Sequence, residues 1–285
     1  MREVSFLGAH VPVEWIAAHG MRPRRLALHA RHADAGQPGV CPYAQALMGE
    51  TCEGGGDLVV VAAACDQIRR AAARLREEFQ EQPLFLIDVP ATRGTAAAEL
   101  YRQECRRLSR FLVRFGGIRP RPDGRFEPIA DARPLQPMHG VPLAVVGGPL
   151  LSEHRELFAV IAGLGGQVVL DATEGGERTL PAASADIRSM PLLDAVAAAR
   201  FESIPDVFQR PNDALASWLA QRVKQREVRG LVCCSYTWCD LWRAGQRHLA
   251  DVAQVPALFL ELGAETKLTG RTVTRIEAFL ESLRA

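Results

Sequence analysis

Seven cysteines are the residues of this chain with the clearest capacity for chemistry. They are Cys41, Cys52, Cys65, Cys105, Cys233, Cys234 and Cys239. Because seven is an odd number, the cysteines cannot all pair with one another within one chain. Thiolates act as nucleophiles and bind zinc or iron–sulfur clusters, whereas a cysteine of the interior behaves as a small hydrophobic residue. The position of each cysteine relative to the predicted strands and helices distinguishes a reactive or metal-binding cysteine from a buried one.

Composition limits the classes of protein that remain. Hydrophobic residues make up 48% and charged residues 24% of the 285 residues, an ordinary balance for a soluble globular protein. The 34 basic residues nearly equal the 33 acidic ones, which argues against a nucleic-acid-binding protein. No apolar run approaches the ~18 residues that a membrane helix needs, and no secretory signal precedes the first cysteine. We therefore expect a cytoplasmic protein whose cysteines stay reduced, without membrane or nucleic-acid partners.

Apolar runs alternate with amphipathic segments along most of the chain, a pattern typical of α/β proteins with parallel sheets. In the first half this pattern predicts strands at 57–64 and 83–88 and helices at 66–79 and 95–115. In the second half it predicts strands at 141–149, 168–170, 230–234 and 255–260, and helices after Ser152, at 206–226 and at 272–283.

The two halves are separated by residues 118–142, which contain six prolines among charged residues. Proline clusters of this kind are typical of linkers and of crossings between domains. The chain is also long enough for two medium-sized domains. We therefore predict an N-terminal domain at 1–125 and a C-terminal domain at 126–285.

Several cysteines are predicted to lie where strands end and helices begin. Cys65 ends an apolar strand and precedes a helix, and Cys41 precedes Pro42, a residue suited to a first helical turn. Cys233, Cys234 and Cys239 cluster around the end of a later strand. Ligands of open α/β sheets bind at the carboxyl ends of strands, so cysteines of both domains could converge there. The spacing alone leaves zinc, an iron–sulfur cluster and plain burial all open.

Taken together, these features resemble the 2-hydroxyacyl-CoA dehydratase family, which includes benzoyl-CoA reductase subunits. The segment HVPVEWIAAHGMRPRRL is similar to the opening Pro-x-Glu motif of that family, and other stretches are similar to its cysteine motifs. The matching stretches, in family order, are residues 6–26, 41–49, 57–70, 88–90, 101–108, 230–240 and 274–281. They span nearly the whole chain.

The resemblance implies two Rossmann-like (flavodoxin-like) parallel-sheet domains that face each other across a cleft holding a cluster. It implies a 4Fe–4S cluster bound by Cys41, Cys65 and Cys239, with the fourth iron open to solvent or substrate. Cys233 and Cys234 would be the alternatives to Cys239 if the last motif were misaligned. The remaining two cysteines, Cys52 and Cys105, match no ligand position and are interpreted as packing residues, although Cys52 lies close enough in sequence to Cys41 to be a spare ligand.

The resemblance further implies a radical dehydration of an acyl-CoA thioester. In that reaction one low-potential electron converts the thioester carbonyl into a ketyl radical, which expels the 2-hydroxyl group. The implied partners are an ATP-dependent iron–sulfur activator protein and a second related dehydratase subunit, or a second copy of the chain in a homodimer. The chain has neither a phosphate-binding G-x-x-x-x-G-K-[ST] loop nor a G-x-G-x-x-G motif, in agreement with a separate activator.

Two alternatives to a dehydratase remain at this stage. The first is an ATP-dependent reductase of the double-cubane or benzoyl-CoA reductase type, favoured by the additional cysteines. The second is a non-catalytic α/β subunit that binds a cluster or zinc. The sequence does not identify the acyl group, and it predicts no catalytic side chain beyond the cluster ligands.

Three charged residues beside the proposed ligands have ordinary interpretations as well. Asp66 and Asp240 each follow a cysteine, and capping of the next helix is favoured over a role near a metal. Arg69 could offset cluster charge or meet CoA phosphates, although arginines on helices are more commonly solvated.

Overall fold

Short strands, most of them apolar, form two parallel sheets. The computed structural model describes residues 1–33, 39–52, 58–78, 83–121, 124–129 and 139–284. Contacts divide the chain into two units, and each unit consists of three stretches of sequence. The first unit comprises Met1–Leu26, Met48–Ala130 and Leu180–Pro211, and the second comprises Ala27–Leu47, Asp131–Thr179 and Asn212–Ala285.

The first unit contains a four-stranded sheet with the order β2-β1-β3-β4. Its strands are β1 (Glu3–Leu7), β2 (Arg22–Arg25), β3 (Val59–Ala63) and β4 (Leu84–Asp88). Its helices are α1 (Val13–Ala18), α3 (Asp66–Glu78), α4 (Thr95–Arg114), α6 (Ala185–Ser189) and α7 (Leu192–Ala197), which continues into a π-helix at Ala198–Glu202.

The second unit contains another four-stranded sheet with the order β6-β5-β7-β8. Its strands are β5 (Val141–Gly147), β6 (Gly166–Ala172), β7 (Gly230–Tyr236) and β8 (Ala257–Leu262). Helix α2 (Pro42–Cys52) begins in this unit, which also holds α5 (Glu156–Gly163), α8 (Asp213–Gln225), α9 (Asp240–Ala253) and α10 (Gly270–Arg284).

Both sheets follow the same topological rule, which confirms the predicted α/β class with two parallel-sheet domains. In each unit the second strand pairs on one side of the first strand, and the third and fourth strands follow on its other side. This 2-1-3-4 order is that of flavodoxin-like sheets, whose ligands bind where the strand order reverses. The reversal lies between β1 and β3 in the first unit and between β5 and β7 in the second.

One central strand of each sheet is buried along its whole length. All five residues of β3 and all seven residues of β7 are buried. Parallel strands that are covered on both faces show continuous apolar runs of this kind. The apolar stretches seen in the sequence therefore mark the middle of each sheet, and the segments that follow them lie at its carboxyl edge.

The element boundaries depart from the predictions at several places. Helix α8 begins at Asp213 rather than near residue 206, because Pro211 precedes it and a proline ring is incompatible with a helix interior. Strand β7 continues to Tyr236, two residues beyond its predicted end. The N-terminal strands β1 and β2 were not predicted. Strand β2 consists of three arginines and a proline, so it lacks the apolar alternation of an ordinary strand.

The proline-rich segment 118–142 is only partly a linker. Residues 122–123 and 130–138 of it lie outside the described part of the chain. Phe126, near its middle, is 2% exposed and belongs to the apolar core of the first unit. The predicted pair of continuous domains, 1–125 and 126–285, stays a prediction, as does the cleft between them.

Glycine is required at the turn after β1. Gly8 has φ +102°, and a Cβ at this position would lie 2.9 Å from the Cβ of Ala62. Gly8→Ala is therefore expected to lower the free energy of unfolding by about 1–3 kcal/mol, because both the backbone conformation and the close approach exclude a side chain.

Urea denaturation of the variant tests this expectation, with Gly163→Ala as the control. A Cβ at Gly163 would meet nothing within 4 Å, so this control should be neutral or slightly stabilising. Equal stability of the two variants would contradict the requirement at Gly8.

Candidate metal centre

Cys65 lies between the end of β3 and the start of α3, as predicted. Strand β3 ends at Ala63 and α3 begins at Asp66, so the cysteine occupies the turn at the carboxyl edge of the sheet. Its side chain is partly exposed, and its sulfur accepts a hydrogen bond from the Ile68 N–H over 3.5 Å. Amide N–H groups at a helix N-terminus favour a thiolate, so this position suits a metal-binding cysteine.

Arg69 stabilises the Cys65 turn through hydrogen bonds, although its side chain is partly exposed. Its Nη2 donates to Asp88 Oδ1 over 2.6 Å and to the Ala63 carbonyl over 3.5 Å. The hydrogen bond to Asp88 is the main cause of a raised Arg69 pKa, and the Cys65 sulfur adds to the rise. The arginine thus connects the first turn of α3 to the ends of β3 and β4.

Cys239 occupies the corresponding place in the second unit. It lies between β7, which ends at Tyr236, and α9, which begins at Asp240, and it is the N-cap residue of that helix. Its N–H donates to the Tyr236 carbonyl over 3.0 Å, and its own carbonyl accepts from the Arg243 N–H. The preceding residue, Trp238, has φ +68° and is 45% exposed. This left-handed residue produces the tight turn that places Cys239 at the helix start.

The two aspartates beside these cysteines do not form the expected caps. Asp66 and Asp240 are each the first residue of their helix, and both side chains are exposed. In the described residues neither carboxylate accepts a capping hydrogen bond. A carboxylate in the first turn still interacts favourably with the helix dipole.

Cys41 belongs to the second unit, together with Cys239. It immediately precedes Pro42, the first residue of α2, and its carbonyl accepts hydrogen bonds from the N–H groups of Ala44 and Gln45. Burial raises the pKa of its thiol, and hydrogen bonds from the backbone at Tyr43 and Ala44 lower the pKa in part. The predicted helix N-terminus at Cys41 is therefore confirmed.

A buried tyrosine–histidine pair near Cys41 was missed by the sequence analysis. Tyr236, the last residue of β7, stacks on Tyr43 with 6.4 Å between the ring centroids. Its hydroxyl accepts from the Leu151 N–H and lies 2.8 Å from His154 Nδ1. His154 Nε2 lies 2.6 Å from the Glu265 carbonyl, which can only accept. Nε2 is therefore the protonated nitrogen, and the Tyr236 hydroxyl donates to Nδ1.

The position of Tyr236 was the signal that could have revealed this pair. The residue ends the strand that leads to Cys239, at the point where the strand order of the sheet reverses. Burial raises the pKa of its hydroxyl well above the usual range, and the Cys41 side chain is among the groups that raise it further. This tyrosine is thus an uncharged hydrogen-bonding group in the surroundings of Cys41.

The cysteines within β7 are part of the sheet rather than of the turn after it. Cys233 and Cys234 are 0% and 1% exposed. Burial raises the pKa of Cys233 to about 12 and that of Cys234 still further. The backbone of Cys234 also packs closely on β5, because a Cβ at Gly147 would lie 2.5 Å from the Cys234 carbonyl oxygen. Strand β7 continues two residues past Cys234 and past its predicted end, so both cysteines lie inside the strand.

Cys105 has the surroundings of a packing residue. It is fully buried in the core of the first unit, and burial raises the pKa of its thiol far above the usual range. Cys52 ends α2, and its side chain lies outside the described part of the structure.

The three proposed ligands are distributed over both units, with Cys65 in the first and Cys41 and Cys239 in the second. In the described residues, no group of three or more histidine, cysteine, aspartate or glutamate side chains is gathered in a way that could hold a metal ion. The assignment of Cys41, Cys65 and Cys239 as a ligand set stays a prediction.

Burial predicts the order in which the thiols of the metal-free protein react with iodoacetamide. Cys65 and Cys239 are partly exposed and should be alkylated first. Cys105, Cys233 and Cys234 should react only after unfolding, because they are buried and their raised pKa values disfavour the reactive thiolate. Peptide mass spectrometry at successive times measures this order. Alkylation of Cys233 as fast as that of Cys65 would contradict the burial of β7.

Residues 9–130 and 126–283 match the sequence model of the family described as 2-hydroxyglutaryl-CoA dehydratase, D-component. The chain belongs to this family. Membership in the dehydratase D-component family confirms the resemblance found in the cysteine motifs, and the matched stretches contain all three proposed ligands. The family description names one component of a larger dehydratase, which implies partner subunits.

Wider comparisons add little to the family assignment. No curated protein matches this D-component family member. Among solved structures, the laminin-binding protein Lmb of Streptococcus agalactiae, described as an adhesin with metal-transporting activity, has 10% identity and a TM-score of 0.26 over 99% of this chain and 100% of its own. The SBP FpvC of Pseudomonas aeruginosa with Ni2+ has 10% identity and a TM-score of 0.27 over 100% of this chain and 97% of its own. Similarity at these scores carries no argument about fold or function.

In the part of the chain that the structure describes, no helix is both long enough and apolar enough to cross a bilayer.

Proposed function

We propose that the chain is the iron–sulfur subunit of a 2-hydroxyacyl-CoA dehydratase-like lyase. The match to the D-component family over residues 9–130 and 126–283 supports this proposal. The proposed reaction removes the 2-hydroxyl group from an acyl-CoA thioester through a ketyl radical of the substrate. One low-potential electron from an ATP-dependent activator starts the reaction. The ketyl radical expels hydroxide, the β-carbon then loses a proton, and the electron is returned, so that the net change is the loss of water.

The observation that carries the proposal is the equivalent placement of Cys65 and Cys239. Each follows the third strand of its own unit in chain order, at the reversal point of a sheet with the same strand order. Each also precedes an aspartate that begins a helix. Two cysteines placed identically in two parallel-sheet units are better explained by a shared ligand role than by two independent packing requirements, because neither is fully buried.

The donor set fits an iron–sulfur cluster. Soft thiolate ligands are those that such clusters require, and hydrogen bonds from amides to sulfur are among the factors that set cluster potentials. The Cys65 sulfur accepts one such bond from Ile68, and the backbone at Tyr43 and Ala44 donates to Cys41. We propose that Cys41, Cys65 and Cys239 hold a 4Fe–4S cluster, which would supply one-electron chemistry and an open iron as Lewis acid.

The neighbouring side chains would hold these ligands in place and limit water access. Arg69 braces the Cys65 turn through Asp88, and the Tyr43–Tyr236 stack covers the region near Cys41. The Tyr236 hydroxyl and both ring nitrogens of His154 have hydrogen-bond partners within the protein, so this buried pair needs no water molecule. These residues are positioning residues in the proposal, and the proposal assigns no general acid or base.

Burial of Cys233 and Cys234 favours a single-cubane dehydratase over the double-cubane reductase. The additional cysteines were the feature that suggested a second cubane. Two of them lie inside β7 with strongly raised pKa values and without exposed surface. A ligand thiolate at either position would require β7 to open.

The proposal includes partners and a location. A second related subunit or a second copy of the chain would complete the dehydratase, and a separate iron–sulfur activator would hydrolyse ATP. We place this assembly in a reducing cytoplasm, where cysteines stay available as thiols.

Anaerobic purification followed by iron and sulfide analysis tests the proposal. We expect about four irons and four sulfides per chain with a broad brown absorption. An assay with a 2-hydroxyacyl-CoA, the activator, ATP and a reductant should then release the enoyl-CoA. Bound zinc, or a protein purified without any metal, would contradict the proposal. Reduction of the acyl-CoA without loss of the hydroxyl would instead support the reductase alternative.

A further inference from the structure

A cavity at the carboxyl edge of the second sheet has no cysteine in its lining. Its volume is about 350 Å³, which is within the range of small-molecule sites. The lining residues come from the end of β8, from the loop after it and from the first two turns of α10, together with His154. Ligands of parallel α/β sheets bind at this edge, so the cavity lies where a ligand is expected.

The loop that borders the cavity is held in place by two hydrogen bonds. The Leu268 N–H donates to the Glu156 carboxylate, and His154 Nε2 donates to the Glu265 carbonyl over 2.6 Å. His154 is itself buried, and its other ring nitrogen accepts from the Tyr236 hydroxyl. A loop that is anchored in this way loses little conformational freedom when a ligand binds, so the cavity is suited to binding without rearrangement.

Charged side chains of both signs line the cavity. Its cations are Lys267, Arg271 and Arg275, and its carboxylates are those of Glu261 and Glu265. In the part of the chain that the structure describes, none of these cations forms an ion pair with either carboxylate. The cations therefore stay available to an anionic group of a ligand, and the carboxylates stay available to hydrogen-bond donors of the same ligand.

This combination of groups matches the phosphates and the ribose of a nucleotide. Arginine and lysine bind phosphate oxygens through charge-assisted hydrogen bonds. In nucleotide-binding α/β proteins an acidic residue accepts hydrogen bonds from ribose hydroxyls, and Glu261 lies at the end of β8. The hydroxyls of Thr269 and Thr272, 3.0 Å apart, also line the cavity and can donate to phosphate. A simple inorganic anion would only be repelled by the carboxylates.

We propose that this cavity binds the phosphates and ribose of a nucleotide, namely the 3′-phosphorylated ADP end of a CoA thioester. The choice of CoA rests on the proposed dehydratase function. It also rests on position, because the cavity borders the turn that contains Cys239. The carbonyl of Leu262, a lining residue, accepts from the N–H of Thr237, two residues before that cysteine. A CoA ester held by its phosphates would have its flexible pantetheine arm beside this turn.

Isothermal titration calorimetry with adenosine 3′,5′-bisphosphate tests the site on the full-length chain. We expect saturable one-to-one binding that weakens as NaCl is raised, because salt screens the attraction between exposed charges. The double variant K267Q/R271Q should weaken binding at least about tenfold, the effect of losing one charge-assisted hydrogen bond. The matched control K224Q/R110Q removes one lysine and one arginine charge at exposed residues outside the cavity, and it should bind like the unchanged protein.

Glu261→Gln distinguishes a nucleotide site from a simple anion site. Loss of a carboxylate that accepts from ribose hydroxyls should weaken binding of the bisphosphate several-fold. The same variant should bind pyrophosphate more tightly, because a repulsive charge has been removed. Tighter binding of the bisphosphate in this variant would overturn the nucleotide assignment.

Competition against the bisphosphate identifies the source of the nucleotide. CoA should compete at least about tenfold better than dephospho-CoA, which lacks the 3′-phosphate, and better than ATP. Stronger competition by ATP than by CoA would overturn the CoA assignment. Equal losses in the two double variants, or titrations without saturation, would overturn the site itself.

Cluster assembly separates this inference from the proposed function, since no cysteine lines the cavity. A chain that assembles the cluster but does not bind CoA would overturn this inference alone. A chain that binds CoA through Lys267 and Arg271 but assembles no cluster would support the site and contradict the dehydratase function.

Discussion

Cys65→Ser is expected to reduce the iron content of the anaerobically purified protein from about four atoms per chain to a small fraction of that value. A serine hydroxyl is a harder and less acidic donor than a thiol, so it replaces a cluster cysteine poorly. The brown absorption should disappear together with the iron. Cys239→Ser should have the same effect, because Cys239 occupies the corresponding turn of the second unit. We expect Cys41→Ser to do likewise.

Cys105→Ser and Cys234→Ser are the matched controls for these variants. Both cysteines are buried in apolar surroundings, so serine should cost stability but leave the iron content of the folded protein unchanged. Circular dichroism of every variant separates loss of the cluster from loss of the fold. Full iron content in folded Cys65→Ser protein would refute the ligand assignment.

Arg200→Met is expected to lower the free energy of unfolding by about 3–5 kcal/mol, the largest effect on stability that we predict. Arg200 forms a buried bidentate ion pair with Glu14 in the first unit, with Nη2–Oε1 and Nε–Oε2 distances of 2.6 and 2.9 Å. The two side chains are 4% and 2% exposed. Removal of the arginine would leave the Glu14 carboxylate buried without its countercharge.

The contacts around this ion pair explain why it is sensitive. The Ile129 N–H donates to Glu14 Oε1 over 2.9 Å, and Arg200 Nη2 donates to the Ile129 carbonyl over 2.7 Å. The pair thereby attaches the segment after α4 to helix α1 and to the π-helix at Ala198–Glu202. Loss of either Glu14 or Arg200 would therefore weaken the attachment of these three segments to one another.

Urea denaturation, followed by circular dichroism, measures this effect. Glu99→Gln is the control, because Glu99 forms an exposed ion pair with Arg106, whose charges are screened by solvent and should contribute little to stability. The double variant Glu14→Gln/Arg200→Met should be more stable than Arg200→Met, since it has no buried uncompensated charge. A loss below about 1 kcal/mol in Arg200→Met would contradict the importance of the pair.

Local patterns predicted most of the sheet elements. The apolar run before Cys65 forms β3, and the amphipathic segment after Cys65 forms α3 almost to the predicted residue. Pro42 begins α2 as expected. These elements could be found because burial on both faces, helical periodicity and proline at the first turn depend on neighbouring residues only.

Other features depend on residues that are far apart in sequence. Glu14 and Arg200 are 186 residues apart, and Tyr236 and His154 are 82 apart, so no local pattern connects the members of either pair. Stretch 180–211 likewise belongs to the first unit because of contacts with residues that are far away in sequence. Long-range burial and hydrogen bonding decide such pairings, and a single sequence carries no direct signal for them.

The sequence by itself determined the α/β class, the family resemblance and the cysteines that precede helices. It could do so because strand and helix patterns and motif order are local. Only the tertiary structure decided that β7 continues to Tyr236, which encloses Cys233 and Cys234 in the sheet and leaves Cys239 in the turn after it. The physical reason is that β7 pairs with β5 as far as Cys234 and with β8 as far as Tyr236, and this pairing on both sides buries the two thiols.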